Sequence, residues 1–197
     1  MARTTRDELT DTAADAAIDQ ACRILRLPTI RDRHGEIAAA AARQQISYKG
    51  FLVELLSVEC DDRETRRKAR LVRDAAFPRP KRLEDFDYTA NPNVPAALIA
   101  TMAKGAWVAA GQPCCLIGDS GTGKSHLLIG LGAAAAENGY RVRYVTAAAL
   151  VNELVEAADD KTLSRAITRY GRVDLLCVDL CRHRDYAERC ERLLCIA

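Results

Sequence analysis

Read for the spacing of its apolar positions, the chain changes character near residue 83. Before that point the period is helical. Ala13, Ala17, Ile18, Ala21, Ile24 and Leu25 predict a helix over 9–26 that Pro28 breaks. A second helix is predicted over 30–42. A third starts at Ser47, a good N-cap residue, with Phe51, Leu52, Leu55, Leu56 and Val58 on an apolar face, and runs on until Pro78 and Pro80 end it. Residues 96–109 predict one further helix. Beyond them short apolar runs alternate with helical ones: strand 114–117, a helix from His126, strand 141–146, helices 147–158 and 163–170, and strand 173–179. Strands alternating with helices predict an α/β fold with a parallel sheet covered on both faces, preceded by an all-α region. The expected organisation is a helical region over 1–82, an α/β core over 83–180 and a divergent tail over 181–197.

The joint between the first predicted strand and its helix carries the chemistry. Gly118-Asp119-Ser120-Gly121-Thr122-Gly123-Lys124-Ser125 fits G-x-x-x-x-G-K-[ST], and it lies between the apolar run Cys114-Cys115-Leu116-Ile117 and the helical run that begins His126-Leu127-Leu128. Glycines let the backbone curl until its N–H groups converge on phosphate oxygens, and the helix N-terminus adds a favourable dipole. The motif therefore predicts a P-loop NTPase site. Residues 118–126 contact the nucleotide, Lys124 reaches the terminal phosphates as the catalytic residue, and the Ser125 hydroxyl holds Mg²⁺. The run Leu175-Leu176-Cys177-Val178-Asp179 has the form of the second NTPase element, with Asp179 placed at the strand end to help hold the same ion.

Charge adds a second candidate interface. The formal net charge is only +2, but nine Lys or Arg residues lie between Arg63 and Arg82, opposed by Glu64 and Asp74 alone. Arg63, Arg66, Arg67, Arg70 and Arg73 fall on neighbouring positions of one helical side, a pattern suited to the phosphates of duplex DNA. With Phe77 the sole aromatic residue of that stretch, a base-stacking platform is disfavoured. The eight cysteines are expected as thiols, with Cys114, Cys115 and Cys177 in buried strands. Cys181, His183, Cys190 and Cys195 lack the C-x₂-C spacing of familiar zinc modules, so no zinc is expected. No apolar run approaches the roughly 20 residues of a membrane span. The first residues also lack an apolar signal core, so a cytoplasmic protein is expected.

Together these residues resemble the IstB/DnaC-like branch of the AAA+ ATPases, the helper ATPases of insertion-sequence transposition and their helicase-loader relatives. The resemblance rests on Leu25-Arg26-Leu27-Pro28-Thr29-Ile30-Arg31, on Ser47-Tyr48 with Phe51-Leu52 and Leu55-Leu56, on the arginine-rich helix, on Leu83-Glu84-Asp85-Phe86-Asp87-Tyr88, and on the phosphate loop continued through His126-Leu127. It implies ATP as the nucleotide, an N-terminal region that engages DNA or a transposase partner, and homo-oligomers in full-length relatives. It also puts the 83–88 segment near the adenine, where Phe86 or Tyr88 supplies a stacking surface; the alternative is that both rings anchor the linker. Members of the branch follow the strand aspartate with a glutamate that polarises water. Here that position is Leu180, and the cysteine- and arginine-rich tail carries no recognised family motif. A core cut short after Asp179 is expected to bind nucleotide, to hydrolyse it poorly, and to leave an unpaired sheet edge. Alternative readings are a helicase-loader adaptor, a P-loop kinase of a small metabolite, and a remnant that does not fold.

Overall fold

The computed structural model describes residues 4–180 and 194–196, with side chains described over 12–180. The chain divides into two compact units, Met1–Arg66 and Arg67–Ala197.

The first unit is helical. α1 (Thr4–Leu25) ends in a Schellman turn, in which the Leu27 amide donates to the Cys22 carbonyl at 2.9 Å and Arg26 takes the left-handed φ of 56° usually left to glycine. α2 (Pro28–Arg43) opens with a proline at a position that needs no amide. α3 (Tyr48–Asp74) begins where the Ser47 hydroxyl accepts the Gly50 amide at 3.2 Å, and it runs unbroken through the basic stretch. Cys22, Ile30, Ile37 and Ala41 form the small apolar core. Of the apolar face predicted on α3, Phe51, Leu55 and Val58 are half-buried, while Leu52 and Leu56 face outward.

The second unit is the α/β body. The segment predicted as one helix over 96–109 is two, α4 (Ala96–Met102) and α5 (Ala106–Ala109), because Gly105 at φ 79° cannot continue a right-handed helix. β1 (Cys114–Leu116) leads into the loop, and α6 (Lys124–Glu137) follows it. Then come β2 (Val142–Thr146), α7 (Ala147–Asp159), α8 (Leu163–Tyr170) and β3 (Leu175–Asp179). β2 and β3 pair in parallel, Val142 opposite Leu175 and Thr146 opposite Asp179. Asp174 clamps the start of this pair, accepting from the Arg141 amide at 2.8 Å and from its guanidinium through both carboxylate oxygens. The Arg141 guanidinium holds that carboxyl below the usual range.

A fourth strand, β4 (Leu194–Ile196), comes from the tail. The sheet order is β1-β4-β3-β2, and β4 runs antiparallel to both neighbours. β4 thus lies between β1 and β3, and among the described residues β1 and β2 are the outer strands of the sheet. A second expectation needs correcting: Cys115 is exposed, since alternation along β1 turns Cys114 and Leu116 toward the body and Cys115 away. Burial raises the Cys114 thiol and pushes Cys177 up to about 12, so both stay protonated. The zinc ligand set weighed above lies outside the residues whose side chains are described.

α6 is the centre of this unit. It is apolar around most of its circumference, with Leu127, Leu128, Ile129, Leu131, Ala135 and Ala136 all buried. Two glycines let neighbours close on it. A Cβ at Gly130 would stand 2.6 Å from the Leu83 side chain, and one at Gly132 3.0 Å from both the Cys177 sulfur and the Phe77 ring.

One charge contact of the helical unit sets a pH dependence. His34 Nδ1 lies 3.0 Å from the Arg31 carbonyl and Nε2 lies 3.1 Å from Asp15. Both partners only accept, so the doubly protonated ring satisfies both, and the hydrogen bond with Asp15 raises the His34 pKa. The stabilisation is complete below the ordinary histidine value of about 6.5 and is lost as pH rises through the raised value. The unfolding midpoint should fall as pH rises above about 6.5, and Asp15→Asn should flatten that dependence; an unchanged His34 titration in the variant would contradict the assignment.

Candidate functional site

The phosphate loop bridges β1 and α6. Gly121 and Gly123 hold φ of 83° and 85°, the left-handed region in which a glycine carries no Cβ penalty. Gly123 occupies the N-cap position of α6, so the first turn, with Lys124 and Ser125 as its opening residues, has no side-chain cap. Such a turn presents its positive dipole end to an anion. Within the loop the Thr122 hydroxyl donates to the Asp119 carbonyl at 2.8 Å. Lys124 folds back over its own loop, and Nζ donates to the carbonyls of Gly118 at 2.9 Å and Asp119 at 2.6 Å. The ammonium is thereby held beside the backbone that a phosphate would approach. Ser120 is exposed at the loop tip.

The segment before β1 clamps this loop in three places. Asn91 Nδ2 donates to the Thr122 carbonyl at 3.0 Å. His126 Nε2 lies 2.7 Å from the Arg82 carbonyl, which only accepts, so that nitrogen carries the proton. Phe86 is driven against the loop itself: a Cβ on Gly123 would stand 2.5 Å from its ring. The Phe86 ring packs edge-on against Tyr88 at 4.9 Å and His126 at 5.4 Å, and the residue is 8% exposed. Tyr88 is half-buried. The turn beyond it is set by Asp87, which accepts from the Thr89 hydroxyl and from the amides of Thr89 and Ala90; these bonds hold its carboxyl below the usual range. Asn91 and the Arg82 carbonyl escaped the sequence reading. An asparagine in a polar linker has no distinguishing pattern, and a backbone carbonyl has no sequence signature at all.

Asp179 ends β3 at 1% exposure. Oδ2 accepts the Tyr144 hydroxyl at 2.8 Å across the β2–β3 pair. Among the described residues Oδ1 has no hydrogen-bond partner. An orphaned buried oxygen of this kind costs about 1–3 kcal/mol, a penalty that persists at sites where another group completes the shell. A hard carboxylate oxygen on a rigid strand has the chemistry that Mg²⁺ selects.

The arginines of α3 divide. Arg63 and Arg66 turn onto Glu59, each with Nη2 at 3.4 Å from Oε1. Arg67 passes over the turn at Gly139, Arg70 is exposed, and Arg73 lies 3.7 Å from Asp74. Elsewhere a groove of about 880 Å³ is lined by Glu153, Glu156, Asp160, Arg165, Arg169 and Arg172, but it holds no phosphate-loop residue, and its charges of both signs offset one another.

Comparison with known proteins agrees with the loop chemistry. Residues 20–195 match the family model described as IstB-like ATP binding protein, a span that reaches beyond the motif-bearing residues into the tail. The chain is 30% identical over 162 residues to the insertion sequence IS5376 ATP-binding protein of Geobacillus stearothermophilus, covering 82% of this chain and 64% of that protein. It is 36% identical over 156 residues to an insertion sequence ATP-binding protein of Sinorhizobium fredii (79% and 52%). It is 30% identical over 165 residues to one of Mycobacterium tuberculosis (84% and 66%). The chain thus spans between about half and two thirds of the length of these relatives. Among the described residues no helix is long and apolar enough to cross a membrane.

The clamp can be tested directly. Gly123→Ala forces a left-handed alanine, a cost of about 1–2 kcal/mol, and drives its Cβ into Phe86. It should abolish the rise in unfolding midpoint that ATP produces. Asn91→Ala removes one hydrogen bond and should weaken ATP about fivefold, the equivalent of about 1 kcal/mol, in a fluorescent-nucleotide titration.

Proposed function

The chain belongs to the IstB-like ATP binding protein family, and we propose that it serves DNA transposition by binding ATP with Mg²⁺ at the phosphate loop and duplex DNA along α3. The observation that carries the reading is the loop: two left-handed glycines, an uncapped α6 N-terminus and Lys124 held over the loop backbone. Residues 118–126 cradle the triphosphate, Lys124 offsets its charge, and the Ser125 hydroxyl with Asp179 Oδ1 would hold Mg²⁺, which neutralises phosphate charge when bound. The linker 82–91 keeps the loop in its receptive shape through Phe86, Asn91 and the Arg82 carbonyl, with Tyr88 as the ring available toward the adenine. The basic half of α3 supplies phosphate contacts to DNA, and a transposase is the protein partner, as the insertion-sequence origin of the relatives supports.

The residue after Asp179 bears on turnover. Leu180 follows Asp179, and a leucine cannot accept a proton from attacking water. We infer a protein that binds ATP well and hydrolyses it slowly.

The deciding experiment is thermal unfolding with and without MgATP. A ligand at about 100 times its Kd stabilises by about 2.7 kcal/mol, a shift of several degrees. The shift should appear in the native chain, vanish in Lys124→Ala, and lose its Mg²⁺ dependence in Asp179→Asn. A native chain that does not respond to saturating MgATP would remove the nucleotide assignment.

A further inference from the structure

The buried carboxylate of Glu59 organises the α1–α2 turn, and it changes which arginines are available for DNA. Glu59 is 3% exposed on α3. Its Oε2 accepts the amides of Thr29 at 2.9 Å and Ile30 at 3.1 Å. These are the second and third residues of α2, whose own N-cap, Leu27, has no capping side chain. Glu59 therefore does from another helix what a serine or aspartate does locally. Its second oxygen faces Arg63 and Arg66 at 3.4 Å, long for a hydrogen bond but well inside ion-pair range. Each arginine is tied down a second time. Arg63 Nη2 donates to the carbonyl of the left-handed Arg26 at 2.9 Å. Arg66 Nη2 donates to the Thr29 hydroxyl at 3.0 Å, and its Nε to the Asp62 carbonyl at 3.1 Å. The Thr29 hydroxyl in turn donates to Asp62 at 2.9 Å.

We propose that Arg63 and Arg66 are positioning residues, the counter-ions of the buried Glu59 cap, and that the phosphate-binding surface of α3 is confined to the arginines beyond them, Arg70 and Arg73 in particular. The argument is electrostatic. A buried carboxylate must be paired, and removing a partner leaves its charge uncompensated. Arg63 and Arg66 reach that carboxylate from one and two turns along the same helix, so α3 supplies both the cap and its neutralising charge. Leu25-Arg26-Leu27-Pro28-Thr29-Ile30 is then a docking turn: Arg26 offers a carbonyl to Arg63, Pro28 starts α2 without needing an amide partner, and Thr29 and Ile30 present their amides to Glu59. The partition rests on the reading of α3 as a DNA-binding helix, while the cap itself stands apart from that reading.

The test uses the full chain and two measurements, unfolding midpoint and the salt dependence of affinity for a duplex oligonucleotide. Arg63→Ala with Arg66→Ala should lower the midpoint by several degrees and leave the slope of log affinity against log salt unchanged. Arg70→Ala with Arg73→Ala should leave the midpoint alone and reduce that slope by about 2, close to 0.9 per phosphate contact. Should the Arg63/Arg66 pair fold too poorly to titrate, Arg66→Ala alone and in a Glu59→Gln background decides the point: its effect on the midpoint should shrink once the carboxylate is neutral. A slope lowered by Arg66→Ala at unchanged midpoint would overturn the partition, as would equal effects in both backgrounds. If neither pair alters the slope, the DNA reading of α3 fails, and the midpoints still decide the role of Glu59.

Discussion

α6 has to be buried along nearly its whole length while keeping its first turn open to an anion, and the rest of the α/β unit follows from that pair of demands. Leucines, isoleucine and alanines around the helix need cover, which the sheet supplies on one side and the linker side chains Phe77 and Leu83 supply elsewhere. Gly130 and Gly132 permit that cover to approach closely. At the open end, Gly123 is doubly constrained, by a left-handed φ and by the Phe86 ring where a Cβ would be. The same linker that seals the helix therefore also shapes the loop.

Two buried carboxylates, Glu59 and Asp179, differ in how completely their oxygens are satisfied. Glu59 has both oxygens engaged, two amides on one and two guanidinium groups within ion-pair range of the other. Nothing is left over for a ligand, and its work is to hold a helix start. Asp179 has one oxygen on the Tyr144 hydroxyl and one without a partner among the described residues. Desolvation makes an unsatisfied buried oxygen of this kind expensive, a cost that the fully engaged Glu59 avoids.

Much of this was legible in the residues themselves. The 3.6 period located most of the helices, and short apolar runs located the first three strands, since both patterns follow from which positions must leave water. Serine at 47 marked a helix start and proline at 28 the end of the first helix, while the second helix opens at that proline itself, two residues before the predicted start. The phosphate loop was readable because its function needs glycines and a lysine at fixed offsets along one turn of chain. The break at Gly105 was missed because alanines on both sides continue the helical pattern while a single left-handed residue interrupts it. Cys115 was misjudged because a run of four apolar residues cannot reveal that one strand face lies open.

What the amino-acid order determined by itself was local: element types, the loop and the strand-end carboxylate, each encoded within a few consecutive residues. What only the tertiary structure decided was partnership over long sequence separations. Glu59 meets Thr29 and Ile30 across about thirty residues, Phe86 closes on Gly123, Asn91 holds Thr122, and β4 enters the sheet beside β1, far from it in the chain. A side chain's charge or ring is written in the sequence, but its use is not, because hydrogen bonding and burial depend on distances that only the folded chain sets.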